Sequence, residues 1–237
     1  MADPLKEDFR NFLYVTWKFL GLPEPTPVQY DMAHWLQTGP RRKVLQAFRG
    51  VGKSWITADF AVWRGYCDPD VKVLVVSASK QAADNFSTFA LQIIKGMPEL
   101  RHLTPRSDQR EAKIQFDFGP ARESKDPSLR SLGISGQLTG SRADVIIADD
   151  VEVPNNSTTQ QMREKLAEQV KEFDAILKPG GEVTFLGTPQ CEQSIYSTLL
   201  QRGYETRIWP ARFPDEKQLA AYGERLAPMI RNQLESV

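Results

Sequence analysis

Gln46-Ala47-Phe48-Arg49-Gly50-Val51-Gly52-Lys53-Ser54 is the stretch from which the rest of this chain can be understood. A strand-like apolar run, Lys43-Val44-Leu45, precedes it, and a helix-like run beginning Lys53-Ser54-Trp55-Ile56 follows. Set beside the phosphate-loop pattern G-x-x-x-x-G-K-[ST], it matches at Gly52, Lys53 and Ser54, with Ala47 where the first glycine would stand. Small residues let successive backbone N–H groups curl around phosphate oxygens at a helix N-terminus. The segment Ala47, Phe48, Arg49, Gly50, Val51, Gly52, Lys53, Ser54 and Trp55 is therefore the expected nucleoside triphosphate cradle. Lys53 is expected at the β/γ-phosphates and the Ser54 hydroxyl on Mg2+. The plainer alternative is a glycine-rich turn that happens to contain Gly-Lys-Ser; a strand–loop–helix context separates the two.

Asp144-Val145-Ile146-Ile147-Ala148-Asp149-Asp150 supplies the second half of such a site: an apolar strand that ends in carboxylates. The first acid would orient Mg2+ and its waters, and the next would polarise the attacking water. Asp149 is assigned to the metal and Asp150 to the water, with Glu152 a rival for the second role. Alternatively the acids cap the turn that follows, as Asp often does. An acid pair at a strand end points to the class that holds helicases, recombinases and packaging motors. No Asn-Lys-x-Asp guanine reader is present, so ATP is the expected nucleotide.

Other residues have two readings each. Arg49, inside the loop, either stabilises charge developing on the γ-phosphate or pairs with a nearby acid. Thr188, in Gly187-Thr188-Pro189 after an apolar strand, either senses the γ-phosphate or belongs to a plain turn. Gln29, after Pro27, carries an amide able to pair with N6 and N7 of adenine; otherwise it is a surface glutamine. Arg142 serves a neighbouring subunit's nucleotide or pairs with Asp144, and the pair is favoured. Ser77-Ala78-Ser79-Lys80 meets a phosphate backbone or caps the helix after it.

At 237 residues the chain can bury one substantial core. Lys+Arg and Asp+Glu balance at 30 each, so no overall field marks a nucleic-acid binder, and any DNA contact would be a local patch. Cys67 and Cys191 lack metal-ligand spacing and read as reduced thiols; His34 and His102 are isolated. No apolar run is long enough to span a membrane, and an intracellular soluble protein is expected. An aromatic amphipathic helix is predicted near residues 5–20, with its aromatics in the core rather than on a stacking platform. A proline-rich break at 22–27 and a helix over 28–36 follow. Strands are predicted at 43–47, 71–77, 113–118, 128–134, 144–150, 182–186 and 204–209, with helices over 53–66, 80–95 and 157–177 and a short one before the last strand. A polar helical tail occupies 215–235. This alternation implies an α/β fold with a mainly parallel sheet covered on both faces, and ligands on such sheets bind at the C-terminal strand ends.

With these motifs in register, the chain resembles the large terminase subunits (DNA maturase B) of short-tailed phages related to T-seven. LQAFRGVGKS, KVLVVSASK, GISGQLTGSRADVIIADDVE, FLGTPQ, IWPA and RLAP carry the likeness, which runs from Phe12 to Pro228. The resemblance implies a RecA-like (ASCE) P-loop ATPase motor in the host cytoplasm. It would assemble as a homo-oligomeric ring on a portal protein, with a small terminase subunit, and thread double-stranded DNA into a procapsid. Residue by residue it implies Lys53 and Ser54 for phosphate and Mg2+, Arg49 as an arginine acting in cis, and Asp149 with Asp150 as the acidic motif. Thr188 falls in the coupling motif and Gln29 in the adenine motif. The expected organisation is a helical, adenine-motif region over 1–40, an ATPase core over 41–214, and a tail or linker over 215–237. Such subunits also carry a C-terminal nuclease domain, and no later cluster of spaced carboxylates exists here. An isolated motor domain that hydrolyses ATP without cutting DNA is the expectation. A helicase or other RecA-like translocase is the alternative.

Overall fold

β-branched runs alternating with amphipathic helices build one eight-stranded sheet. The computed structural model describes residues 3–188 and 194–235. The strands are β1 (Arg42–Ala47), β2 (Val73–Ser77), β3 (Glu111–Ala112), β4 (Gln115–Phe116), β5 (Leu129–Gly133), β6 (Ala143–Asp149), β7 (Leu177–Gly187) and β8 (Glu205–Trp209). Their spatial order is β3-β4-β5-β2-β6-β7-β1-β8. Every pairing from β5 across to β8 is parallel, and only the β3–β4 hairpin and its join to β5 run antiparallel.

The helices are α1 (Pro4–Glu7), α2 (Phe9–Phe19), α3 (Pro27–Thr38), α4 (Lys53–Cys67), α5 (Lys80–Gly96), α6 (Pro154–Ser157), α7 (Gln160–Ile176), α8 (Ile195–Gln201), α9 (Glu216–Tyr222) and α10 (Pro228–Glu235). They cover both faces, as continuous apolar strands require. On one face α2–α5 bury Phe9, Phe12, Trp17, Met32, Trp35, Phe60 and Ile93. On the other, α7 and α8 pack Leu166, Phe173 and Leu199 over Val44, Ile146 and Phe185. The aromatics of the first helices therefore belong mainly to the core, although Tyr14 and Phe19 stay exposed.

Several boundaries depart from the sequence expectation. The first helix breaks at Asp8, whose carboxylate caps α2 by accepting from the Arg10 N–H at 2.9 Å. The strand expected over 113–118 is instead the end of a hairpin, turning at Lys113-Ile114. The alternation there arises from different contacts. Phe116 and Phe118 are buried, while the Asp117 carboxylate receives Arg110 and the Ser128 N–H. The helix expected over 157–177 is divided into α6 and α7, the latter capped by Thr159. The polar tail also docks on the core through Leu226, Ala227 and Ile230.

The position of β7 determines where the site forms. It lies between β1 and β6, with Leu45 level with Leu186, Gln46 with Gly187, and Leu186 with Asp149. Three C-terminal strand ends thus meet at one edge. Lys43, fully buried in β1, helps join β1 to β7: its ammonium donates to the Leu36 carbonyl at 2.7 Å and pairs with Glu182 at 3.2 Å. Burial pulls its pKa down to about 8.

Candidate nucleotide site

At the end of β1 the chain leaves the sheet, tied to β8 by the Phe48 N–H on the Trp209 carbonyl at 3.2 Å. Gly50 and Gly52 have φ of +89° and +84°. A Cβ would meet nothing at Gly50 and only the Gln29 amide, at 3.5 Å, at Gly52. Glycine is required there by backbone conformation rather than by space. Ala47, by contrast, is still part of β1, and its extended backbone needs no glycine. That is the physical reason the departure from the motif is tolerated.

Gln29 belongs to this loop as much as to α3. Its Oε1 accepts from the Thr26 N–H at 2.8 Å in a capping box, and its Nε2 donates to the Val51 carbonyl at 2.9 Å. The loop opens α4, and Lys53, 7% exposed, donates to the carbonyls of Ala47 at 2.8 Å and Phe48 at 3.3 Å. Burial lowers its pKa, against the pull of Asp150 and Asp149.

Ser54 donates its hydroxyl to Asp149 Oδ1 at 3.1 Å across 95 residues of sequence. Burial, reinforced by the charge of Asp150, pushes the Asp149 pKa up to about 6, with Ser54 and Lys53 opposing. A hydroxyl and a desolvated carboxylate, both hard oxygen donors, suit Mg2+, which takes few protein ligands and completes its shell with water and phosphate. Asp150 follows in the left-handed region, φ +44°, with its N–H on the Leu186 carbonyl at 3.0 Å. Arg49 is exposed, and its charge is felt by both Lys53 and Asp150. Thr188, at the end of β7, donates to the Ala47 carbonyl at 3.4 Å. Pro189 and Cys191 lie outside the described residues.

Glu152 is engaged at the start of α8. It is 1% exposed, accepting from the Ser194 hydroxyl at 2.8 Å and the Ile195 N–H at 2.7 Å. Trp55, 44% exposed, turns its ring onto Phe89 at 4.9 Å. The two line a cleft of about 1000 Å³ that runs from Ser54, Asp149 and Asp150 between α5 and α7 to Met162. The Trp55 side chain therefore forms part of the cleft wall that continues from the candidate site. The favoured Arg142–Asp144 pair does not form. Asp144 is taken by Lys178 at 2.9 Å and by the Lys72 N–H at 2.8 Å, and Arg142 donates to the Ser141 carbonyl at 3.1 Å. Ser79 caps α5 by accepting from the Ala82 N–H at 3.2 Å, and Lys80 pairs with Asp84 at 2.8 Å.

Over 234 residues, 97% of its length, the chain is 54% identical to the terminase large subunit of Enterobacteria phage T3. The likeness to that phage terminase large subunit runs through nearly the whole chain. The chain spans 40% of the length of that relative. No protein-family model matches it. Among solved structures, the large terminase of bacteriophage HK97 superposes with a TM-score of 0.54 at 14% identity, over 98% of this chain and 51% of that one. The yeast DEAD-box splicing factor Prp28 gives 0.53 at 13% identity, over 86% of this chain and 49% of that one. At such identities the likeness speaks for the fold, which is the RecA-like α/β arrangement that the sequence predicts.

Two further elements of this terminase-like site carry no signature in the sequence. Tyr196 is 2% exposed and donates to the Leu186 carbonyl at 3.1 Å, and Ser194 binds Glu152. Ser194 is 42 residues from Glu152 and Tyr196 ten from Leu186, and no local pattern announces either contact.

Proposed function

We propose that this chain is the ATPase motor of a phage DNA-packaging terminase, which hydrolyses ATP to drive double-stranded DNA into a procapsid. The contact between Ser54 and Asp149 carries the proposal, because it joins the loop and the acid strand at one sheet edge. In this reading the N–H groups of residues 48–54 and Lys53 bind the phosphates, while Ser54 and Asp149 hold Mg2+. The metal would neutralise charge on the β- and γ-phosphates. Asp150 accepts the proton of the attacking water, and Arg49 stabilises charge on the transferred phosphoryl group. Gln29 braces Val51 and keeps one amide N–H for adenine, its Oε1 being taken by the Thr26 N–H and hydroxyl. Thr188, between the loop and the acid strand, couples hydrolysis to the rest of the molecule.

The family's partners follow in the same proposal: a portal protein, a small terminase subunit and neighbouring copies in a ring, in the cytoplasm of the host. Residues 1–40 would serve as a helical adenine-motif region, 41–214 as the motor core and 215–237 as its tail. Among the described residues no helix is long and apolar enough to cross a membrane. Phosphate release by the parent and by Lys53→Ala tests the enzymatic core. The parent should turn over ATP in the presence of Mg2+ and the variant should lose nearly all release; equal rates would overturn the assignment. The DEAD-box likeness supports the fold alone. Unwinding of naked duplex by this chain would favour a helicase instead.

A further inference from the structure

Leu186, the penultimate residue of β7, offers one carbonyl to two donors. The Asp150 N–H reaches it at 3.0 Å and the Tyr196 hydroxyl at 3.1 Å. Asp150 is the only non-glycine residue with positive φ among the described residues. An L-residue stays in that region only when its surroundings hold it there. The ring of Tyr196 lies against Gly187, where an added Cβ would fall on the phenol. Two residues beyond Asp150, the Glu152 carboxylate accepts from the Ser194 hydroxyl and the Ile195 N–H, capping the start of α8, whose second residue is Tyr196. The bend at Asp150 is thus held from both sides, by Leu186 and Tyr196 on one and by Glu152 and α8 on the other.

We infer that Tyr196 is a positioning residue for hydrolysis and that Glu152 is its anchor: together they hold the Asp150 backbone in the left-handed bend that presents its carboxylate. The inference rests on the proposal above that Asp150 is the water-activating acid. It goes beyond it by removing Glu152 from the chemistry and giving it a structural task.

Tyr196→Phe deletes the hydroxyl and keeps the ring. Loss of that single hydrogen bond should lower kcat roughly 5- to 10-fold. The KM for ATP and the Kd of a non-hydrolysable analogue should not change, and amide exchange across 149–152 should quicken. Glu152→Gln keeps an acceptor for the Ile195 N–H and a donor toward Ser194, so turnover should fall by no more than about fivefold. Glu152→Ala, which loses the cap, should fall further. Parent-like kcat and exchange in Tyr196→Phe would overturn the inference and leave Asp150 as the acid. A Glu152→Gln variant as inactive as Lys53→Ala would show that Glu152 is the acid, which also ends the inference. Full turnover by Asp150→Asn would instead sink the underlying assignment of Asp150, and the positioning role with it.

Discussion

Ser54 Oγ lies 3.1 Å from Asp149 Oδ1, joining the first turn of α4 to the last residue of β6. The carboxylate is held out of water, with a second acid beside it and a hydroxyl as its only hydrogen-bond donor among the described residues. This arrangement costs the protein stability that a cation bound there would restore.

The Asp149 pKa is raised from 3.8 to about 6, so the folded state keeps a proton that the unfolded chain has already lost. The associated stability is present below about pH 4 and is lost as pH rises towards 6; its size is about 1–3 kcal/mol. Asp149→Asn should therefore raise the unliganded protein's denaturation midpoint at pH 7 and leave it unchanged below pH 4, while abolishing Mg2+-dependent turnover. Urea unfolding of parent and variant at the two pH values checks this. Identical profiles would mean that the carboxylate pays no such cost.

Arg49 stands exposed in the loop, close enough for its charge to act on Asp150 and Lys53. Arg49→Ala should lower kcat by a factor of ten or more, since an arginine acting on transferred phosphoryl can be worth ~10³–10⁵ in rate. The KM for ATP should move less than threefold. Steady-state kinetics separates the two constants, and an unchanged kcat would make Arg49 a structural loop residue.

Gln29 links the α3 cap to Val51 in the phosphate loop. Gln29→Ala should cost about 1 kcal/mol of stability through the lost cap and brace. It should also raise the KM for ATP more than that for GTP. A nucleotide-competition assay reads the difference, and an equal rise for both would confine Gln29 to bracing.

Gly187 has no room for a side chain beneath Tyr196. Gly187→Ala should destabilise the fold by about 1–3 kcal/mol, the usual cost of overpacking. The smaller ring-free variant Tyr196→Leu should recover part of that loss when combined with it. Chemical denaturation of the two single variants and the double variant forms the cycle that measures the coupling. Simple additivity would show that the two sites do not meet.

Much of this molecule was legible in the chain because its information is local. Val73–Val76 and Val145–Ala148 are apolar throughout and rich in β-branched residues, the pattern of buried strands. Gly50 and Gly52 mark left-handed turns that few other residues adopt, and Lys53-Ser54 begins a helix beside them. The stretch 113–118 reads as one strand because burial of Phe116 and Phe118 mimics alternation, whereas the backbone turns at 113–114 to form the hairpin of β3 and β4. Proximity in sequence favours an Arg142–Asp144 pair, but the fold brings Lys178 of β7 and the Lys72 N–H to Asp144 and leaves Arg142 on the Ser141 carbonyl.

Spacing along the chain was enough to locate the glycine loop, the acid strand and the parallel alternation of strands and helices, because each depends on residues within one or two turns. The insertion of β7 between β1 and β6, the bend at Asp150, the diversion of Glu152 to α8 and the Tyr196 hydroxyl on Leu186 came only from the folded chain. These depend on which strands become neighbours, and that follows from burying two opposite sheet faces at once, a choice no short segment makes alone.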